Sequence, residues 1–411
     1  MANISEKIKS KQNKIGKMID KRKEKNNIIK TYFESTPLLS VDIENTLVPK
    51  KRRIFLVNKE DRKSIKNFAQ KGGVVLINSG GTYGYCKKVA KSAKVKTIIS
   101  SNNGAFVAIP EQTDRPIISL RVSPENIYRI KDKLEQVEPR AIIALSGKDR
   151  KYYIDNKGAK IRLFQMQQAF KFRNRYRIST NKKKFEDMAL KTYSIQIFPM
   201  PDTYGLTKNT KPIKKEQQKN ITLHALNALQ ELMIEDYKLN GQPSFKIEEG
   251  DMGLQICHPK ASKLNAIKAI VEMKNQQSEN MQITQDNIFA VGDGIQDLCS
   301  VAIMQNPDKQ FFTMNTATNK FYENSTIYEK HFNANKLQNK IENYIKQAEI
   351  INAERENEAD KIKINLLNLK LEPKERFSFK NNIVPNVKTA IDLIDSQTKQ
   401  IASSNEAQPA M

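Results

Sequence analysis

Four short segments of this sequence hold the residues best suited to chemistry. Asp42-Ile43-Glu44-Asn45-Thr46 sets two carboxylates two positions apart, and Ser79-Gly80 offers a hydroxyl ahead of a flexible turn. Ser262-Lys263 supplies an ammonium, and Gly292-Asp293-Gly294-Ile295-Gln296-Asp297 carries two more carboxylates among glycines. That set suits phosphoryl transfer. A carboxylate can attack phosphorus and form an acyl phosphate, and Asp42 is the candidate. Magnesium takes oxygen ligands and neutralises phosphate charge, and Asp42 and Asp293 can supply those oxygens. The Ser79 hydroxyl, backbone N–H groups and Lys263 can hold phosphoryl oxygens. Glu44, two residues past the nucleophile, can protonate a leaving alkoxide and then activate water.

Such groups act together only if one scaffold brings them to one rim. Leu38-Leu39-Ser40-Val41 is a short apolar run ending at Asp42, and Gly73-Val74-Val75-Leu76-Ile77-Asn78 is a second, ending at Ser79-Gly80. Thr97-Ile98-Ile99-Ser100 is a third, followed by Asn102-Asn103-Gly104-Ala105. Helical patterns over 60–71 and Tyr83–Ala93 separate them. Strands alternating with helices indicate a parallel sheet, and ligands bind such sheets beyond the carboxyl ends of the strands. Over 116–244 the texture changes. Ser123 caps a helix to Val137, strands at Ala141–Leu145 and Lys151–Ile154 flank a turn, Ser194–Phe198 alternates, and 216–238 is a helix. Paired short strands with helices predict a small α+β unit inserted into the first.

The α/β texture resumes at 245. Gly253–Cys257 is expected as a strand of the first sheet, Ser262-Lys263 opens a helix to Val271, Asn287–Val291 is a strand, and Phe311–Met314 is expected to be the last. Residues 333–370 read as a long charged helix, 371–393 as an ambiguous segment and the final 15 or so as a polar, disordered tail.

Composition bounds the function classes. With 411 residues the chain has room for two or three domains, and 38% hydrophobic residues are enough for a core. The sequence has no apolar run near the roughly 18–20 residues needed to cross a bilayer, and the basic N-terminus is not followed by the apolar stretch of a signal peptide. Cys86, Cys257 and Cys299 are scattered, as are His224, His258 and His331, so neither a disulfide framework nor a zinc site is expected. A reducing cytoplasm is the expected compartment. The formal charge of +25 favours anionic partners, although Lys is abundant throughout.

At the four segments the sequence resembles the haloacid dehalogenase superfamily, in particular its Cof-type (subclass IIB) phosphatases. The family's Asp-x-Asp-Gly-Thr-Leu is matched by Asp42-Ile43-Glu44-Asn45-Thr46-Leu47, and its strand ending in Ser/Thr-Gly by Ile77-Asn78-Ser79-Gly80. The branch's Asn-Gly-Ala is matched by Asn103-Gly104-Ala105, the motif-three lysine by Lys263, and Gly-Asp-x-x-Asn-Asp by Gly292 to Asp297. The resemblance covers about residues 36–330. It implies an α/β fold: a Rossmann-like parallel-sheet core over 36–115 and 245–332, with an α+β cap inserted at 116–244; outside the resemblance, the sequence itself predicts a basic N-terminal helix or arm at 1–35 and a helical C-terminal extension with a disordered tail at 333–411. It also implies a magnesium-dependent phosphatase acting on a small phosphorylated metabolite, a sugar phosphate or nucleotide-like compound. Asp42, Glu44, Ser79 and Lys263 would be catalytic, and Ser79, Gly80, Asn103, Lys263 and Gln296 would contact substrate. Asp42, Glu44, Asp293 and Asp297 would form the metal site. A phosphomutase would share the same aspartyl-phosphate.

The departures define an alternative. Glu44 replaces the second aspartate, Asn45 the glycine, Gly81 an arginine and Gln296 an asparagine. A catalytically idle relative could instead bind nucleic acid or a protein. It would use the N-terminal arm and the basic stretch Lys171-Phe172-Arg173-Asn174-Arg175-Tyr176-Arg177 with Lys182-Lys183-Lys184.

Overall fold

The computed structural model describes residues 36–48, 56–139, 141–149, 151–154, 176–179, 182–199, 215–250, 253–277, 282–293, 297, 299–300, 303–314 and 383–406. The arm at 1–35, the basic residues 171–175, the helix expected at 333–370 and Gln296 lie outside them.

The first sheet is built from β1 (Leu38–Val41), β2 (Val74–Asn78), β3 (Ile98–Ser101), β4 (Phe106–Ala108) and β5 (Ile118–Ser119), with β12 (Ile288–Gly292), β13 (Phe311–Met314) and β14 (Ile383–Val384). Its order is β14-β13-β12-β1-β2-β3-β4-β5. All pairs from β14 to β3 are parallel, and β4 and β5 are added antiparallel.

The strands alternate between two buried faces. Leu39, Val41, Val75, Ile77, Phe289 and Val291 meet α1 (Lys59–Gln70), α2 (Tyr83–Ala93) and α7 (Val387–Glu406). Leu38, Leu76, Ile288 and Ala290 meet α6 (Lys263–Gln277). Burial on both faces explains why these strands read as near-continuous apolar runs.

A second sheet, in the order β10-β11-β9-β6-β7-β8, contains β6 (Ala141–Ser146), β7 (Lys151–Ile154), β8 (Tyr176–Ser179), β9 (Ser194–Pro199), β10 (Lys246–Gly250) and β11 (Gly253–Cys257). Only β7 and β8 run parallel within it. Ile143, Leu145, Ile195, Ile197, Leu254 and Ile256 form its apolar face, packed with α3 (Pro124–Val137) and α5 (Lys215–Asn240). A further helix, α4 (Lys182–Ala189), adds Met188 and Ala189 to that core.

Several expectations are corrected. Gly253–Cys257 is not a strand of the first sheet but pairs antiparallel with β9 and β10, so the second sheet continues to Cys257 rather than stopping at 244. The physical reason is alternation: Leu254 and Ile256 face the helices while Gln255 faces away, as suits a sheet covered by apolar packing on one face. The C-terminal part is not a separate extension, and Phe311–Met314 is not the last strand. β14 pairs with β13, and Val387, Ala390, Ile391 and Ile394 of α7 enter the first core at helical spacing. The helix reaches Glu406, through much of the expected polar tail. Asp61 of α1 accepts the Lys388 N–H at 2.8 Å, and Lys71 pairs with Asp395.

Candidate active site

The order of strand addition reverses at β1: β2 lies on one side and β12 on the other, both parallel to it. The crevice at such a switch point is where a parallel sheet leaves room for a ligand. Asp42 follows β1 and Asp293 follows β12, and the Asp42 N–H donates to Val291 O at 3.0 Å. Lys263 arrives from the other face, in the first turn of α6. Ser262 caps that helix, its Oγ accepting from Asn265 N at 2.9 Å, and Asn78 Nδ2 donates to Lys263 O at 3.1 Å.

These elements converge on a buried charge cluster. Lys263 Nζ donates to Asp42 Oδ1 at 2.8 Å and to Asp297 Oδ1 at 2.6 Å. Asp42, Lys263 and Asp297 are 5%, 5% and 6% exposed. Oxygens of Asp42, Asp293 and Asp297 all lie within 4.8 Å of one another. Gly292 makes this approach possible, since a Cβ there would stand 2.3 Å from Asp297 Cγ.

Burial pushes the Asp42 carboxyl well above the ordinary carboxylate range. Lys263 opposes that shift, and Asp297, Glu44 and Asp293 add to it. Burial works to lower Lys263, but Asp297 and Asp42 outweigh it and keep the ammonium charged. One ammonium thus faces three clustered carboxylates, a deficit of positive charge in an all-oxygen donor set. That is the chemistry of a hard divalent cation such as magnesium.

The structure gathers Asp42, Lys263, Asp293 and Asp297 as the sequence predicts. It does not bring Glu44 into the carboxylate trio: Glu44 is exposed, and Ser79 Oγ donates to its Oε2 at 2.9 Å. Asn103 lies where the two sheets meet. Its Nδ2 donates to Gln255 Oε1 at 3.1 Å and to Glu248, while Gln255 Nε2 reaches Gly80 O at 3.4 Å. Asn102, Asn103 and Gly104 take positive φ values of 50°, 53° and 82°. Such a run is strained for non-glycine residues and is held here by Asn102 N to Gly81 O at 2.8 Å and Ser194 Oγ to Asn102 Oδ1 at 3.0 Å.

Sequence reasoning missed four contributors. Asn45 stands where the resembling family has glycine because φ is 58° there, a conformation asparagine tolerates, and its Nδ2 donates to Asp293 Oδ2 at 2.6 Å. That substitution was the available signal. Glu248 and Gln255, which are cross-strand partners, and Tyr85 carried no local motif. Cys86 and Cys257 are buried, and burial raises their thiols and pushes Cys299 up to about 11, away from the reactive thiolate. His258 is structural, its Nδ1 accepting from Lys260 N at 3.1 Å, and burial lowers its pKa.

Residues 39–305 match the family of haloacid dehalogenase-like hydrolases. Among solved structures, a haloacid dehalogenase-like hydrolase from Bacteroides thetaiotaomicron is 14% identical over 70% of this chain and 91% of that one, with a TM-score of 0.50. A protein from Thermotoga maritima is 17% identical over 70% and 90%, with a TM-score of 0.48. A subclass IIB sugar phosphatase is 14% identical over 69% and 88%, with a TM-score of 0.43. No curated protein sequence matches the chain at a significant level. Among the described residues, no helix is long and apolar enough to cross a membrane.

Proposed function

The chain belongs to the haloacid dehalogenase-like hydrolases, and from that premise we propose that it is a magnesium-dependent phosphatase of small, polar phosphate monoesters. The observation that carries this reading is the buried Lys263 ammonium set between Asp42 and Asp297, with Asp293 alongside. Such a cluster is costly to bury without work to do.

Asp42 is the nucleophile. One of its oxygens attacks phosphorus, the ester bond breaks, and Glu44 gives its proton to the departing oxygen. Water then attacks the aspartyl-phosphate. Glu44 takes a proton from that water, and inorganic phosphate and free Asp42 result. Lys263 and the Ser79–Gly81 turn hold the phosphoryl oxygens, and the N-terminus of α6 favours their negative charge. A bound magnesium ion would neutralise phosphoryl charge, with Asp42, Asp293 and Asp297 as its ligands.

The second sheet acts as a cap, and its polar row supports a hydroxyl-rich leaving group. Glu248 lies opposite Gln255 and Gln255 opposite Gln196 across the strands. Carboxylate and amide groups match sugar hydroxyls, which both donate and accept.

The test is phosphate release from a panel of sugar phosphates, nucleotides and an aryl phosphate, with and without magnesium, beside Asp42→Asn. Magnesium-dependent turnover lost in the variant supports the reading. Turnover that survives in Asp42→Asn, or none from the native chain, would sink it.

A further inference from the structure

Two departures from the family's pattern, Glu44 for aspartate and Gly81 for arginine, meet through a third residue. A Cβ on Gly81 would stand 2.5 Å from Tyr85 Cδ1, 3.1 Å from Tyr85 Cε1 and 3.3 Å from Ser79 Oγ. The Tyr85 ring therefore fills the space that a side chain at 81 would need, and it does so next to the Ser79 hydroxyl. The ring also packs against the first core, from the first turn of α2, where Tyr85 N donates to Thr82 O at 3.0 Å.

Burial first, and then the nearby Glu44 carboxylate, push the Tyr85 phenol up, so its hydroxyl keeps the proton it can donate. Glu44 takes the Ser79 hydroxyl at 2.9 Å, and Ser79 Oγ in turn accepts the Gly81 N–H at 2.9 Å. An exposed glutamate has one more rotatable bond than aspartate and would otherwise spread its carboxylate over several rotamers. The Ser79 hydroxyl, from a strand end, reduces that freedom, and the Tyr85 ring lies beside it.

We propose that Tyr85 is a positioning residue for Glu44: its hydroxyl, with that of Ser79, fixes the longer acid beside the leaving-group oxygen, and Gly81 makes room for the ring that carries it. The two departures are then one compensated change. The catalytic half of this inference rests on the phosphatase reading; the contact itself does not.

Tyr85→Phe keeps the ring and removes only the hydroxyl. An alkyl phosphate needs the proton from Glu44 to leave, whereas p-nitrophenyl phosphate expels a stable phenolate. The expected result is a fall of about tenfold in kcat/KM for the alkyl phosphate and of less than about twofold for the aryl one, because acid assistance matters only to the poorer leaving group. A merely structural role would lower both alike, and equal losses, or none, would overturn the inference.

The contact has its own readout. In protein labelled with carbon-13 at tyrosine Cζ, the Tyr85 signal is identified by its loss in Tyr85→Phe and should shift in Glu44→Gln. An unmoved signal would overturn the proposal whatever the kinetics show. A native chain without turnover would sink the phosphatase reading alone, and a shifted signal would still uphold the contact.

Discussion

Lys263 Nζ stands 2.8 Å from Asp42 Oδ1, and both side chains are almost wholly removed from solvent. The ammonium balances Asp42 and Asp297 at once. Lys263→Gln leaves two buried carboxylates facing each other without it. The expected loss of stability at neutral pH, without divalent cation, is about 3 kcal/mol by urea unfolding. Turnover should fall by about 100-fold or more, as for loss of a transition-state donor.

Glu44→Asp restores the family's residue, yet it should slow this enzyme. The shorter side chain withdraws the carboxylate from the Ser79 hydroxyl it accepts at 2.9 Å. A displacement of that order can cost about 10- to 100-fold in kcat. A faster Glu44→Asp enzyme, measured on the best substrate of the panel, would show instead that the native acid is badly placed.

Magnesium should raise the melting temperature of the native chain. At about 100 times its dissociation constant a ligand of the folded state adds about 2.7 kcal/mol. Asp42→Asn removes one of the three clustered carboxylates and should abolish most of that gain. Thermal scans of both proteins with magnesium and with a chelator make the comparison. An equal gain in both would place the ion elsewhere.

Asp61 gives a pH dependence with a definite sign. Burial raises its pKa, against the opposing bonds from Lys388 N–H and Asn58. The folded state therefore binds this proton more tightly than the unfolded chain. The stability it contributes is full below the unfolded pKa and is lost as pH rises through the higher folded value. Asp61→Asn can still accept from Lys388 N and should flatten this part of the profile. Asp61→Ala loses that bond to the first turn of α7 and should cost about 1 kcal/mol at every pH. Denaturant unfolding of the three proteins between pH 4 and 8 reads both effects.

What the sequence disclosed depended on whether the signal was local. β1, β2 and β12 were legible because each is a mostly apolar run ending at the polar residues it presents, Asp42, Ser79 and Asp293. α2 was legible from Tyr83 to Ala93, and α3 from its Ser123 cap to Val137. β11 was assigned to the wrong sheet although its alternation, Leu254 and Ile256 against Gln255, already pointed to a sheet with apolar packing on one face. The spacing of Val387, Ala390, Ile391 and Ile394 marks a helix, but nothing near it in sequence names α1 as its neighbour. Tyr85, Glu248 and Gln255 belong to the candidate site through contacts made in space, which no spacing records. Asn45 could have been found, because a glycine position that accepts asparagine signals a left-handed backbone.

The bond from Lys388 N to Asp61 spans 327 positions, so it forms only after most of the chain has been synthesised. The second core draws its described residues from between Val122 and Ile256, so it needs nothing synthesised after that span. The first core needs more: Ile65 and Phe68 belong to a core that Val387, Ala390, Ile391 and Ile394 complete. Until those residues leave the ribosome, part of an apolar helix face stays uncovered. At about 5–20 residues per second that interval lasts some tens of seconds, time in which a chaperone or a neighbouring nascent chain can reach the same face. The inner unit is thus finished first, and the outer one closes around it last.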